Sequence, residues 1–185
     1  YTAEYQEGEI WAFGSGGIMI RSVDDGRTWS ESGISVSQDL TSSDSSYESI
    51  IVAGNSGTVL LFSQGIWMDI SSDKFGDIKD IALTGNDSFV IIGQDEVWTC
   101  TVTVEWDTEC DPAIEGEGMG FLSVSFLDSE NGIIVGENGA IIASSDGGSS
   151  WEYRDAPSEV SSMAIIDIEY YSTIRAYAIS EEGHI

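Results

Sequence analysis

Positive charge is what this chain has least of. Six lysines and arginines face 33 aspartates and glutamates, for a formal net charge of −27. Such a surface repels phosphate backbones and anionic lipid headgroups, which excludes nucleic acid and ordinary membrane surfaces as partners. Histidine is nearly absent: His184 is the only one and sits next to last, so a Ser–His–Asp catalytic arrangement has no credible base. No apolar run approaches the ~18 residues that a membrane-spanning helix needs, and no membrane insertion is expected. Neither an initiator Met nor a signal-like segment opens the sequence, as in a mature chain or a piece of a longer one. Cysteine occurs twice, at Cys100 and Cys110. A structural zinc site wants more ligands, so the pair is expected to form a disulfide, as in secreted chains. No metal and no cofactor is expected.

What is present reads as a folded domain. Apolar residues make up 41% of the 185 positions, enough for a real core. The acids are scattered through the apolar segments, not gathered in a tail, which argues against disorder. Dispersed acidity with Lys74 and Lys79 as the only lysines fits adaptation to high salt, and fits an acidic secreted protein equally. An extracellular or cell-surface location is expected.

The chain repeats itself. "GSGGIMIRSVDDGRTW", Gly14 to Trp29, returns as "GENGAIIASSDGGSSW", Gly136 to Trp151, with seven of sixteen positions identical. Apolar runs ending in a turn recur around Gly14, Gly54, Gly93, Gly136 and Ile179, at spacings of 40, 39, 43 and 43 residues. Helical periodicity is nowhere sustained, and Ile, Val, Phe, Tyr and Trp fill the runs. A period near forty built from short strands predicts an all-β, β-propeller-type repeat of four-stranded antiparallel blades. The expected blades are 1–35, 36–74, 75–112, 113–157 and an incomplete 158–185. The first opens on a stub of inner strand in "YTAEY"; Pro112 and Pro157 are expected just after fourth strands. About four and a half blades do not close a ring, which implies a fragment of a larger propeller or open ends completed by another chain or by terminal strands.

Within the duplicated stretches, Ser22, Asp24, Gly26, Thr28 and Trp29, and again Ser144, Asp146, Gly148, Ser150 and Trp151, fit S-x-D-x-G-x-[ST]-W. An Asp carboxylate can accept backbone N–H bonds of its own turn, glycine supplies the unusual dihedral, and tryptophan covers the hairpin. In the middle repeats Trp67 and Trp106 follow their glycines by 13 residues rather than 15, as though the hairpin were shortened and the tryptophan kept for packing. The motif resembles the Asp-box, or BNR repeat, shared by sialidases, xyloglucan-cleaving glycoside hydrolases, sortilin-type receptors and photosystem II stability/assembly factors. The wording "IIVGENGAIIASSDGGSSW" is most similar to the last of these. That resemblance implies a non-catalytic propeller that holds protein partners through an arginine-rich face, whereas Arg21, Arg27, Arg154 and Arg175 are the only arginines here.

Catalysis finds little support. A sialidase needs an arginine cluster to clamp the substrate carboxylate, and four arginines do not supply one. Another glycosidase needs two carboxylates at a set separation; loop acids such as Asp128 and Glu130 are available, but among 33 acids some pair always is. The acidic runs "SSDSSYES" and "DSENG" lack an EF-hand's ligand order, and Asn86–Asp87–Ser88 is a formal glycosylation acceptor. The expected function is a non-catalytic scaffold or protein-binding domain, with a protein partner or self-association. Two alternatives stay open: a structural subunit whose open blade ends assemble into rings or filaments, and a fragment of an Asp-box glycoside hydrolase. Loops at Glu31–Ser46, Ser71–Asp80 and Asp111–Gly120 are the expected places for a partner.

Overall fold

A computed structural model describes residues 1–103, 107–115, 118–172 and 175–183. Each forty-residue repeat folds as an antiparallel meander. β1 (Thr2–Gln6), β2 (Glu9–Phe13), β3 (Met19–Ser22) and β4 (Ser30–Glu31) form the first sheet. β5 (Leu40–Ser45), β6 (Ser49–Gly54), β7 (Val59–Ser63) and β8 (Ile66–Asp69) form the second. The third holds β9 (Asp80–Leu83), β10 (Ser88–Ile92), β11 (Glu96–Val102) and β12 (Thr108–Glu115). The fourth holds β13 (Phe121–Phe126), β14 (Gly132–Gly136), β15 (Ile141–Ser144) and β16 (Glu152–Tyr153). A fifth pairs β17 (Ile165–Ser172) with β18 (Arg175–Ser180). The first strand of each sheet lies beside the first strand of the next, the fan of a β-propeller.

Sheets stack face to face through separate apolar layers. Between the first two, Trp11, Phe13 and Met19 meet Leu40, Ile50, Val52 and Leu60; between the third and fourth, Val90 and Ile92 meet Phe121, Ile134 and Ile142. Second strands have sheet on both faces, which is why β6 reads as unbroken "SIIVAG" and every residue in it is buried. Each fully buried Ile, Val or Leu contributes about 1.5–3 kcal/mol.

Four expectations need correction. "YTAEY" is no stub: β1 pairs with β2 from Thr2↔Phe13 to Gln6↔Glu9, and Glu4 accepts from Ser43 Oγ at 2.7 Å and Ser45 Oγ at 2.6 Å on β5. Pro112 lies within β12, not after it, opposite Trp98 at a register shift. A proline is tolerated there because β12 is its sheet's edge, where one side of the strand has no ladder to complete. For the same reason the blade boundary expected at 112 falls inside a strand. Finally, the stretches Glu31–Ser46 and Asp111–Gly120 are not all loop, since the first contains the inner strand β5 and the second begins within β12. Trp106 and His184 lie outside the described residues.

Candidate functional site

The two boxed hairpins close the β3–β4 and β15–β16 connections with matching networks. Ser22 Oγ accepts from Gly26 N at 2.9 Å and donates to Asp24 Oδ1 at 2.9 Å. Thr28 donates its N–H to Asp24 Oδ1 at 2.8 Å and its hydroxyl to Oδ2 at 2.6 Å. Trp29 Nε1 donates to Gly26 O at 3.0 Å. Ser144, Asp146, Gly148, Ser150 and Trp151 reproduce every one of these bonds. Hydrogen bonds from Thr28 and Ser150 hold the carboxyls of Asp24 and Asp146 below the ordinary aspartate range. Both oxygens are thus engaged within their own turn. The surroundings differ: Trp151 packs edge-on to Phe126 beneath the third sheet, while Trp29 stays 43% exposed.

Asp128 is likewise occupied. Its Oδ1 accepts from Glu130 N at 2.9 Å and Asn131 N at 2.8 Å, closing the β13–β14 turn; Glu130 gives it a backbone donor, not a partner carboxylate. Cys100 and Cys110 face each other across β11 and β12 and are joined as a disulfide. Among the described residues no group of three or more His, Cys, Asp or Glu side chains is arranged to hold a metal.

Two other features carry charge in places the sequence did not single out. The first is the inner rim. Asp80 on β9 is half-buried among three sheets, accepting from Ser42 Oγ on β5, from Ser123 Oγ at 3.0 Å and Val124 N at 2.9 Å on β13, and from its neighbour Ile81 N at 3.0 Å. Ser123 also bonds Asp167 Oδ1 at 3.1 Å on β17. Asp44 on β5 accepts from Leu83 N at 2.8 Å on β9. Carboxylates and serines thus stitch neighbouring inner strands where no backbone ladder runs between sheets. The alternation Ser42–Asp44, Ser123–Ser125 and Asp167–Glu169 at the head of the second, fourth and fifth repeats is the signal that marks this seam.

Burial pushes the Asp44 carboxyl up to about 6, outweighing the hydrogen bonds from Leu83 and Ser45 that act to lower it. Glu169 is raised as well, by burial and then by the charge of Asp167. An unfolded aspartate titrates near ~3.9, so above pH 6 the folded protein carries a charge it disfavours and regains stability as the pH falls toward 4. The turn carboxylates Asp24, Asp128 and Asp146 work oppositely: their lowered values give stability that is present at neutral pH and lost in stronger acid. The protein is therefore expected to be about 1–2 kcal/mol more stable at pH 5 than at pH 7.5. Thermal melts of the wild type and Asp44→Asn check this. The variant should lose most of the increment by being more stable at the higher pH.

The second feature is a cleft of about 800 Å³ on the face that carries the β1–β2, β5–β6, β7–β8 and β9–β10 turns. Its aromatic wall is Trp11, Phe62 and Trp67, with ring centroids 5.2–5.4 Å apart. Arg21 lies 5.5 Å from the Trp11 ring and is held by Glu9, its Nε donating to Oε2 at 2.6 Å and its Nη2 to Oε1. Tyr47, 79% exposed, stands at the rim. The Nε1–H groups of Trp11 and Trp67 are buried without an acceptor.

The family model described as photosynthesis system II assembly factor YCF48 matches residues 35–185. The chain belongs to the YCF48 family. Two curated relatives, both named photosystem II assembly lipoprotein Ycf48, come from Prochlorococcus marinus. The protein of strain MIT 9312 is 47% identical over 51 residues, covering 26% of this chain and 15% of the relative. That of strain NATL2A is 34% identical over 96 residues, covering 50% and 25%. This chain therefore spans well under two thirds of their length. A solved structure of YCF48 bound to D1 peptide superposes with a TM-score of 0.72 at 14% identity, covering 95% of this chain and 58% of that one. The YCF48 match corrects the expected location: relatives that are lipoproteins of photosystem II assembly are not extracellular or cell-surface proteins.

Proposed function

We propose that this chain is a non-catalytic, protein-binding part of a photosystem II assembly factor, and that it holds a peptide segment of a photosystem subunit. The observation that carries the proposal is the YCF48 family match over residues 35–185, and a structural neighbour of the same family bound to D1 peptide supports it. The local geometry agrees with it, because Asp24, Asp128 and Asp146 spend their oxygens on their own turns and are not set against one another as an acid–base pair would be. In this reading the Asp-boxes and the Cys100–Cys110 bridge are fasteners of the scaffold.

Calorimetric titration of the chain with a D1 peptide, run beside incubation with xyloglucan oligosaccharides, tests the proposal. Saturable peptide binding with no release of reducing ends is the expected result. Sugar hydrolysis would overturn the non-catalytic reading, and a peptide that stays free at high protein concentration would overturn the D1-type partner.

A further inference from the structure

The cleft between the first and second sheets combines an aromatic wall with a one-sided charge, and together they point to one kind of occupant. Its aromatic wall is large and, at Tyr47, open to solvent. Its charged lining is one-sided: Glu7, Glu9, Glu48 and Asp87 stand against Arg21 alone, and Arg21 is already held by two bonds to Glu9. Trp11, 2% exposed, and Trp67 both line the cleft with N–H groups that have no acceptor among the described residues. Trp98 outside the cleft shares this state, so the occupant is selected by the rings and the charge of the lining and not by these N–H groups.

Acids beside exposed aromatic rings select ammonium or guanidinium groups, which gain cation–π attraction at the ring face and Coulomb attraction at the rim. The cleft already shows this chemistry in Arg21 lying over Trp11. An anionic segment would instead meet four carboxylates within a chain of net charge −27. We infer that this cleft is a docking site for an extended, lysine- or arginine-bearing protein segment, its cationic side chains set between Tyr47, Glu48 and Asp87 and its backbone along the Trp11–Trp67 wall. The inference rests on the protein-binding reading above and adds a surface and a charge preference to it.

The test is fluorescence anisotropy of a labelled twelve-residue peptide with alternating lysines and apolar residues, against the same peptide with glutamates in place of the lysines. Four proteins are titrated at low and moderate salt: the chain itself, Glu48→Gln/Asp87→Asn, Tyr47→Ala, and Asp155→Asn/Glu182→Gln as a charge-matched change remote from the cleft. The four substituted acids are exposed, and melting curves verify that the variants fold. The lysine peptide should bind the chain at least tenfold more tightly than the glutamate peptide. The cleft variant should lose about fivefold and the remote variant less than twofold, the size expected for one or two rim charges. Tyr47→Ala should weaken binding without altering the salt dependence. Equal loss in the cleft and remote variants would overturn the proposal, because attraction to the whole acidic surface would then suffice. Binding of the D1 peptide with no preference for lysine would also overturn it while leaving the protein-binding reading intact.

Discussion

Asp80→Ala is expected to remove roughly 3–5 kcal/mol of stability, a large part of what a domain of this size has. The side chain accepts bonds from two serines and two backbone N–H groups drawn from three consecutive sheets. Removing it leaves Val124 N and the Ser42 hydroxyl short of an acceptor in the seam, while the Ser123 hydroxyl keeps Asp167. Each such group costs about 1–3 kcal/mol when left unsatisfied. Asp80→Asn keeps one acceptor oxygen and removes the charge that burial disfavours, burial being the main reason the Asp80 carboxyl sits above its ordinary range. The amide variant should therefore lose no more than about 1–2 kcal/mol at neutral pH. Urea denaturation of the three proteins reads the difference directly. If the alanine variant matched the asparagine variant, the seam would not be holding the sheets together.

The repeat and the box hairpins were legible because they rest on local chemistry. A serine, an aspartate and a glycine within five residues close the turn that contains them, and no other part of the chain is required. The inner seam was not legible in that way. Ser42, Asp80, Ser123 and Asp167 are about forty residues apart, and what unites them is the stacking of successive sheets. Composition misleads at this point for a physical reason. Asp39, Asp77 and Asp95 accept backbone N–H groups of Gly16, Ser56 and Met119 across the connections between sheets, so much of the acid excess has a local task that a net charge conceals. The cleft was hidden for a related reason. Trp11 and Arg21 come from the first repeat, Tyr47, Phe62 and Trp67 from the second, and Asn86 and Asp87 from the third. The acids of the cleft also lie outside the long connections: Glu7 is in the two-residue β1–β2 turn, Glu9 on β2, and Glu48 and Asp87 in the short β5–β6 and β9–β10 turns.

The location went astray through the reading of the cysteines and the charge as marks of secretion. The cross-strand bridge between β11 and β12 is a fact of the fold, but oxidising compartments are several, and the bridge does not choose among them. The designation of the relatives as photosystem II assembly lipoproteins speaks against the extracellular or cell-surface reading.

Glycine supplies the other large effect. Gly139 ends the short turn between β14 and β15 at φ +69°, and a Cβ there would lie 2.8–2.9 Å from the backbone of Ser161. Its N–H donates to Met163 O at 2.7 Å, tying the fourth sheet to the strap that leads into the fifth. Gly139→Ala must adopt a left-handed conformation and push a backbone aside, whereas a flexible side chain could have yielded. Strain of about 1–3 kcal/mol from the first and overpacking of similar size from the second predict a total loss of about 3–5 kcal/mol. Gly65→Ala is the control. It has a comparable φ of +80°, in the β7–β8 turn, with open space where the Cβ would be, so only the conformational part applies, about 1 kcal/mol. Hydrogen exchange of the amides in β17 and β18 separates the two causes: Gly139→Ala should release protection there through the displaced strap, and Gly65→Ala should leave it unchanged. Equal effects of the two substitutions would show that dihedral strain alone matters, and that the fifth sheet is not anchored through this contact.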